Sequence, residues 1–180
     1  FAGLAQIKKD ALARTPNVAL VDAGDAIQGA PIGKLSRGLA VVNIMNYLGY
    51  DFCIPGNHEF DYGMDRFKEL VPLQRAGYYC ANFVYAGNNK QVLPGYKIMQ
   101  YEDTKVAFVG ASTPESLTTS TPTFFQNEKG QYIYSFCEDK SGSKLYKQLQ
   151  KNVDKARQEG ADYVFIVGHL GMDGTTPQWN

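Results

Sequence analysis

The chain has 180 residues, a formal net charge of zero, 44% hydrophobic residues and 20% charged residues. This length and composition indicate one globular domain with a sizeable core and argue against a disordered chain. The balanced charge gives no reason to expect nucleic acid as a partner, and no apolar run has the length of a membrane-spanning helix.

Helical and strand patterns alternate along the first half of the chain. The predicted elements are, in chain order, a helix over residues 1–14, a strand over 18–24, a helix over 37–48, a strand over 50–56 and a helix over 64–71. Pro16 ends the first helix and Pro72 ends or kinks the third, because proline cannot continue a helix.

The second half continues the alternation. Its predicted elements are a strand over residues 78–85, two strands within 96–112, a hairpin or excursion over 122–140 centred near Lys129-Gly130, a helix over 143–159 and a strand over 161–171. The whole order predicts an α/β protein whose sheet is largely buried. Three widely spaced cysteines cannot form a closed disulfide framework, and Cys53 and Cys80 are expected to be buried.

Polar residues follow three of these strands. Asp25 follows the first, Asn57 and His58 follow the second, and His169 lies at the end of the last. Ligands in open α/β sheets bind at the carboxyl ends of the strands, so the coincidence favours a site. Taken singly, each histidine is also compatible with a hydrogen-bonded packing residue, and Asp25 with a helix cap or a turn.

The residue types favour a metal site over a phosphate loop. Carboxylate, amide oxygen and imidazole together suit divalent ions such as Zn²⁺ and Mn²⁺. The segment from Gly24 to Gly29 has the length of a phosphate-binding loop, but Ala30-Pro31 stands where lysine and serine or threonine would be needed.

Three motifs resemble those of calcineurin-like metallophosphoesterases. They are "GDAIQGAPIGKLSRG", "IPGNHEFDYG" and "GHLGMDGTTPQW", in that order along the chain. The similarity is greatest to the bacterial 5'-nucleotidase and 2',3'-cyclic-nucleotide 2'-phosphodiesterase branch. The resemblance implies a four-layer αββα sandwich with two divalent metal ions at one edge of the sheets.

The same resemblance implies a role for each site residue. Asp25 would bridge the two metals, and Asn57 and His169 would bind one of them. His58 would not be a ligand; it would face the scissile phosphate, with Asp61 orienting its ring. Glu59 is interpreted as structural, through local hydrogen bonds.

Two motifs of the family pattern do not occur in this sequence, namely an initial Asp-x-His and a final Gly-His-x-His. We therefore expect residues 1–180 to be a partial catalytic domain, incomplete at both ends, without the family's C-terminal nucleotide-binding domain. On its own this fragment should bind metal weakly and turn over little.

The leading hypothesis is a metal-dependent 5'-nucleotidase with small nucleotides as substrates. The sequence leaves open whether cyclic nucleotides are also cleaved. A thiosulfohydrolase-type relative on the same fold and a non-catalytic binding domain are the alternatives. By resemblance, the parent protein is expected outside the cytoplasm, without membrane insertion in this segment.

Overall fold

The computed structural model describes residues 1–171. The helices in this part are α1 (Ala2–Leu12), α2 (Pro31–Ser36), α3 (Leu39–Leu48), α4 (Met64–Leu70), α5 (Ser116–Thr119) and α6 (Ser143–Gln158). The strands are β1 (Val21–Asp22), β2 (Phe52–Cys53), β3 (Val84–Tyr85), β4 (Tyr96–Tyr101), β5 (Thr104–Ser112), β6 (Tyr134–Ser135) and β7 (Tyr163–His169). Short 3-10 turns occupy His58–Phe60, Val71–Leu73 and Pro122–Phe125.

The strands form two main sheets and one small one. β1 and β2 pair in parallel, and a bridge between Cys53 and Tyr78 extends this sheet. β5 lies between β4 and β7, antiparallel to the first and parallel to the second. A parallel pair needs a crossover connection, which α6 supplies between β5 and β7. β3 and β6 form a separate antiparallel pair.

The two main sheets face each other and carry helices on their outer sides. Phe52 of β2 contacts Phe108 of β5 with 5.8 Å between ring centroids. Because side chains alternate along a strand, Cys53 points away from this contact, into the core that α3 and α4 line. Val109 likewise points towards α6. The resulting order of helices, sheet, sheet and helix confirms the predicted α/β fold class.

The predicted hairpin near Lys129-Gly130 is present. Asn127 and Gln131 are joined by a backbone hydrogen bond of 2.9 Å, and the chain then returns to pair β6 with β3. This excursion serves the core, because Phe125 and Phe136 are fully buried. Burial of aromatic side chains is the reason that a segment rich in polar residues stays ordered.

Three strands are shorter than the sequence predicts. The segment predicted as a strand over 50–56 forms a strand only at Phe52–Cys53. The segment predicted as a strand over 18–24 pairs only at Val21–Asp22. The segment over 78–85 is extended, but Cys80 donates to Pro94 and Ala81 to Gly110, so only its end forms a regular strand. Because successive residues of this segment donate to different parts of the chain, the regular hydrogen bonding that defines a strand does not form there.

The helices differ from expectation at three points. α2 and α5 were not predicted, since six and four residues are too few to show a helical period. In α1 no residue is fully buried, and Ile7 of its apolar face is 65% exposed. A polar contact, rather than a buried apolar face, attaches α1 to the end of α3: Lys8 Nζ donates to the Leu48 carbonyl oxygen at 3.2 Å.

β7 lies at an edge of its sheet in the described part of the chain. Phe165 and Ile166 are 55% and 52% exposed there, although the apolar run is typical of a buried strand. The end of the third motif, from residue 172 onwards, lies outside the described residues. None of the helices within residues 1–171 has both the length and the apolar character needed to cross a membrane.

Candidate active site

The carboxyl ends of β1, β2 and β7 bring three of the predicted site residues together. His169 is the last residue of β7, while Asp25 and Asn57 lie in the loops after β1 and β2. His169 Nε2 is 3.1 Å from Asp25 Oδ2 and 3.2 Å from Asn57 Oδ1. The three side chains that the resemblance names as metal ligands therefore converge on one point.

The hydrogen bonding of His169 suits a cation at that point. Its Nδ1 lies 2.9 Å from the Ala23 carbonyl oxygen, which can only accept, so Nδ1 carries the proton. In the neutral ring, Nε2 then presents a lone pair towards the oxygens of Asp25 and Asn57. Three lone-pair donors facing one another fit a divalent cation, and a backbone acceptor on the other ring nitrogen is the usual outer contact of a metal-bound histidine.

This donor set is small. No group of three or more His, Cys, Asp and Glu side chains able to hold a metal is assembled within residues 1–171. The described chain thus contributes one carboxylate, one imidazole and one amide to a common point. These donors fit part of the coordination shell of a metal ion.

His58 points elsewhere and pairs with Asp61. Its Nδ1 is 2.6 Å from Asp61 Oδ2, while its side chain remains 44% exposed. This hydrogen bond is the main cause that raises the pKa of His58 above its ordinary value of 6.5. Within residues 1–171 the only hydrogen bond of the His58 ring is the one from Nδ1, so Nε2 can meet a ligand while Asp61 fixes the ring direction.

The two loops that carry Asp25 and Asn57 are in direct contact. Asp25 adopts a left-handed conformation with φ of 63°, after Gly24 with φ of 94°. The His58 backbone N–H donates to Asp25 Oδ1 at 2.9 Å. A methyl group at Gly56 would overlap this same oxygen, so only glycine allows the loops to approach this closely.

Glu59 is fully buried beneath these loops. As the sequence predicts, it is a hydrogen-bond partner of the local backbone: it accepts N–H groups from Gly56 at 2.6 Å and Asp25 at 2.7 Å. Burial raises the pKa of Glu59 to about 7, against the lowering effect of these backbone hydrogen bonds.

Sequence reasoning missed two residues beside the site. Asp22, in β1, has a pKa raised to about 6 by burial. A carboxylate inside an apolar strand was the available signal. Ser120 donates its hydroxyl to the Asn57 carbonyl oxygen across 63 positions of sequence, and no local pattern indicates such a contact.

Comparison with known proteins identifies the family. The family profile described as "Calcineurin-like phosphoesterase" matches residues 1–180. The chain belongs to this family.

Individual relatives are similar over most of the chain. The rat (Rattus norvegicus) 5'-nucleotidase is 32% identical over 180 residues, covering 96% of this chain and 28% of that protein. The snake venom 5'-nucleotidase of Naja atra is 31% identical, with 87% and 28% covered. Among solved structures, the Thermus thermophilus sulfate thiohydrolase SoxB in complex with glycerol has a TM-score of 0.77 and 29% identity, with 94% and 30% covered. The chain therefore spans less than a third of the length of these relatives.

Proposed function

We propose that the gene product containing this chain is a metal-dependent phosphoester hydrolase, most specifically a 5'-nucleotidase that releases phosphate from nucleoside monophosphates. One observation carries this proposal: Asp25, Asn57 and His169 converge beside the His58–Asp61 pair. A cation-binding point next to an oriented imidazole suits attack on a phosphoester better than it suits a packing role.

In this proposal Asp25, Asn57 and His169 hold divalent metal ions. The complete protein would bind two ions, such as Zn²⁺ or Mn²⁺, with Asp25 between them and further ligands from outside the described residues. When bound, such ions polarise the phosphoryl oxygen and lower the pKa of a water molecule. A neutral amide ligand limits the negative charge of the site.

His58 acts on the substrate in this proposal. Asp61 favours the protonated imidazole, so Nε2 can donate a hydrogen bond or a proton to the oxygen that leaves phosphorus. The side chain of His58 is 44% exposed, which is compatible with contact between His58 and a phosphate group. Asp61 acts through the ring of His58, which it orients.

The relatives support the substrate class and the setting. Two of them carry the name 5'-nucleotidase, one of these from venom, which supports small nucleotides as substrates and an extracytoplasmic location. Nucleic acid is not proposed as a partner. Residues 1–180 would form part of a catalytic domain that works with a C-terminal nucleotide-binding domain of the gene product.

The similarity to SoxB favours one second candidate, a thiosulfohydrolase activity on the same scaffold. A non-catalytic domain is a weaker alternative, because binding alone gives no reason to keep His58 and Asp61 paired at 2.6 Å.

The test is manganese-supported phosphate release from AMP by the complete gene product, with sulfate release from a thiosulfonate measured in a parallel assay. Residues 1–180 are assayed alongside. We expect phosphate release by the complete product and little by residues 1–180. If the complete product turns over only the thiosulfonate, the thiosulfohydrolase assignment would replace the nucleotidase assignment. Inactivity on both substrates would contradict both the nucleotidase and the thiosulfohydrolase assignments.

A further inference from the structure

One buried side chain is hydrogen-bonded to both loops of the candidate metal site. Glu59 Oε2 accepts the N–H of Asp25 at 2.7 Å in the loop after β1. The same oxygen accepts the N–H of Gly56 at 2.6 Å in the loop after β2. Its other oxygen accepts the N–H groups of Ala26 at 2.8 Å and Ile27 at 3.3 Å. A single carboxylate thus joins segments about thirty positions apart in sequence.

The hydrogen bonds from Asp25, Ala26 and Ile27 to Glu59 stabilise an unfavourable backbone conformation. Asp25 has a φ of 63°, a conformation that residues with a Cβ adopt rarely and keep only when their surroundings enforce it. Glu59 accepts three successive N–H groups, from residues 25 to 27, and so fixes this turn. The fixed turn directs Asp25 Oδ2 towards His169.

The second loop is fixed by the same contact. Gly56 immediately precedes Asn57, whose amide oxygen lies 3.2 Å from His169 Nε2. Glu59 is 0% exposed, and within residues 1–171 its hydrogen bonds are all to backbone groups. Four N–H donors fill both of its oxygens, so it has no remaining capacity to bind a ligand itself.

We propose that Glu59 is a positioning residue for the metal site: it sets the separation and direction of the Asp25 and Asn57 oxygens before any cation binds. The inference rests on the proposed function, because it takes Asp25 and Asn57 as metal ligands. Its consequence is that metal affinity, and not only stability, depends on Glu59. Groups that orient metal ligands commonly account for about 10–100-fold in affinity.

The test is the Mn²⁺ dissociation constant of Glu59→Gln in the complete gene product, titrated by calorimetry below the unfolding transition. Glutamine keeps the size of the side chain but replaces one accepting oxygen with a donor, which leaves loop N–H groups without a partner. We expect the dissociation constant to rise about 10–100-fold. The absorption spectrum of the Co²⁺-loaded protein should also change, because it reports the arrangement of the ligands.

A matched control separates positioning from general stability. Asn152 in α6 is 2% exposed and hydrogen-bonded to Gln148 and Gln91. Asn152→Ala should lower the urea midpoint while leaving the Mn²⁺ dissociation constant unchanged. A Glu59→Gln protein that behaves in the same way would show a purely structural role and overturn the inference.

A further variant keeps the inference falsifiable if Glu59→Gln does not fold. Glu59→Asp retains the carboxylate on a side chain one methylene shorter, so its hydrogen bonds to the two loops are lengthened. The Mn²⁺ dissociation constant of Glu59→Asp should also rise, and an unchanged constant would overturn the inference. A wild type that binds no Mn²⁺ would instead contradict the proposed function.

Discussion

The pairing of His58 with Asp61 gives the sharpest expectation at the scale of single residues. Asp61→Asn keeps the size of the side chain but removes the charge that favours the imidazolium. Turnover by the complete gene product should fall by part of the roughly 10²–10⁴-fold that a positioned acid contributes. Steady-state kinetics and metal analysis of the same preparation provide the check.

The control for Asp61→Asn is Asp65→Asn, since Asp65 is a fully exposed carboxylate four positions further along. It should leave turnover unchanged. Loss of metal in Asp61→Asn would show that Asp61 supports the metal ligands rather than His58, contrary to the proposed division of roles.

The contact between the two loops makes Gly56 sensitive to substitution. Gly56→Ala places a methyl group against Asp25 Oδ1, which forces the loops apart. Overpacking of this kind costs about 1–3 kcal/mol, and urea unfolding should show a loss of that size. Gly87→Ala is the control, because a methyl group there meets open space. Equal stability of the two variants would mean that the loops can separate freely.

Several site residues could be predicted because their positions follow from strand ends. Asp25, Asn57 and His169 follow apolar runs at strand ends. β1 and β2 are parallel neighbours, and the facing sheet places the end of β7 beside theirs. Ser120 could not be predicted, since its contact with Asn57 depends on the path of a long loop. The left-handed backbone conformation of Asp25 could not be predicted either, because an aspartate tolerates this conformation but does not require it.

At the scale of elements, Asp139 defines the start of α6. It accepts the backbone N–H groups of Ser143 at 3.0 Å and Lys144 at 2.9 Å. These bonds, led by that from Lys144, lower the pKa of Asp139 below its ordinary value of 3.8. A lowered folded-state pKa adds stability above the unfolded-state pKa, and this contribution is lost as the pH falls through the folded-state value.

Asp139→Ala should therefore be less stable than the wild type at neutral pH, and the difference should shrink below pH 3.8. Urea midpoints measured across this range test the prediction. Glu128→Ala is the control, because Glu128 is an exposed hairpin residue outside α6. A difference for Asp139→Ala that stays constant with pH would contradict the role of its charge at the helix start.

Element types were easier to predict than element lengths. The 16-residue α6 repeats its apolar positions over four turns, so its pattern is distinctive. Strands β1 and β2 contain two residues each, because their backbones soon bend into the site loops. In both strands the apolar run in the sequence is longer than the segment that forms strand hydrogen bonds. A hydrophobic pattern indicates which residues are buried, but it does not indicate which of them pair with a neighbouring strand.

At the scale of the whole molecule, the core holds two of the three cysteines. Cys53 and Cys80 are fully buried, and Cys137 is partly buried. Burial raises the pKa of Cys137 to about 11, so its thiolate is scarce at neutral pH. We expect Ellman's reagent to label at most one thiol slowly in the native chain and three in urea. Rapid labelling of Cys53 or Cys80 without denaturant would contradict this packing.

The family resemblance predicted the order of the layers, whereas the exposure of the outer surfaces was not predicted. The alternation of strands and helices by itself predicted an α/β protein with a buried sheet. Phe52 lies between the two sheets and Val109 faces α6, in agreement with the order that the resemblance implies. Phe165 of β7 is exposed in the described residues although its sequence is strongly apolar. The residues that pack against a strand come from other parts of the chain. The sequence of one strand therefore does not predict whether a side chain such as Phe165 is covered.

The most direct test of the central claim compares two variants of the complete gene product for bound manganese and for AMP turnover. His58→Asn should lose turnover by about 10²–10⁴-fold while keeping its metal, because His58 acts on substrate. Asp25→Ala should lose both, because its carboxylate is a metal ligand. Metal loss in His58→Asn, or full metal content in Asp25→Ala, would contradict the site described here.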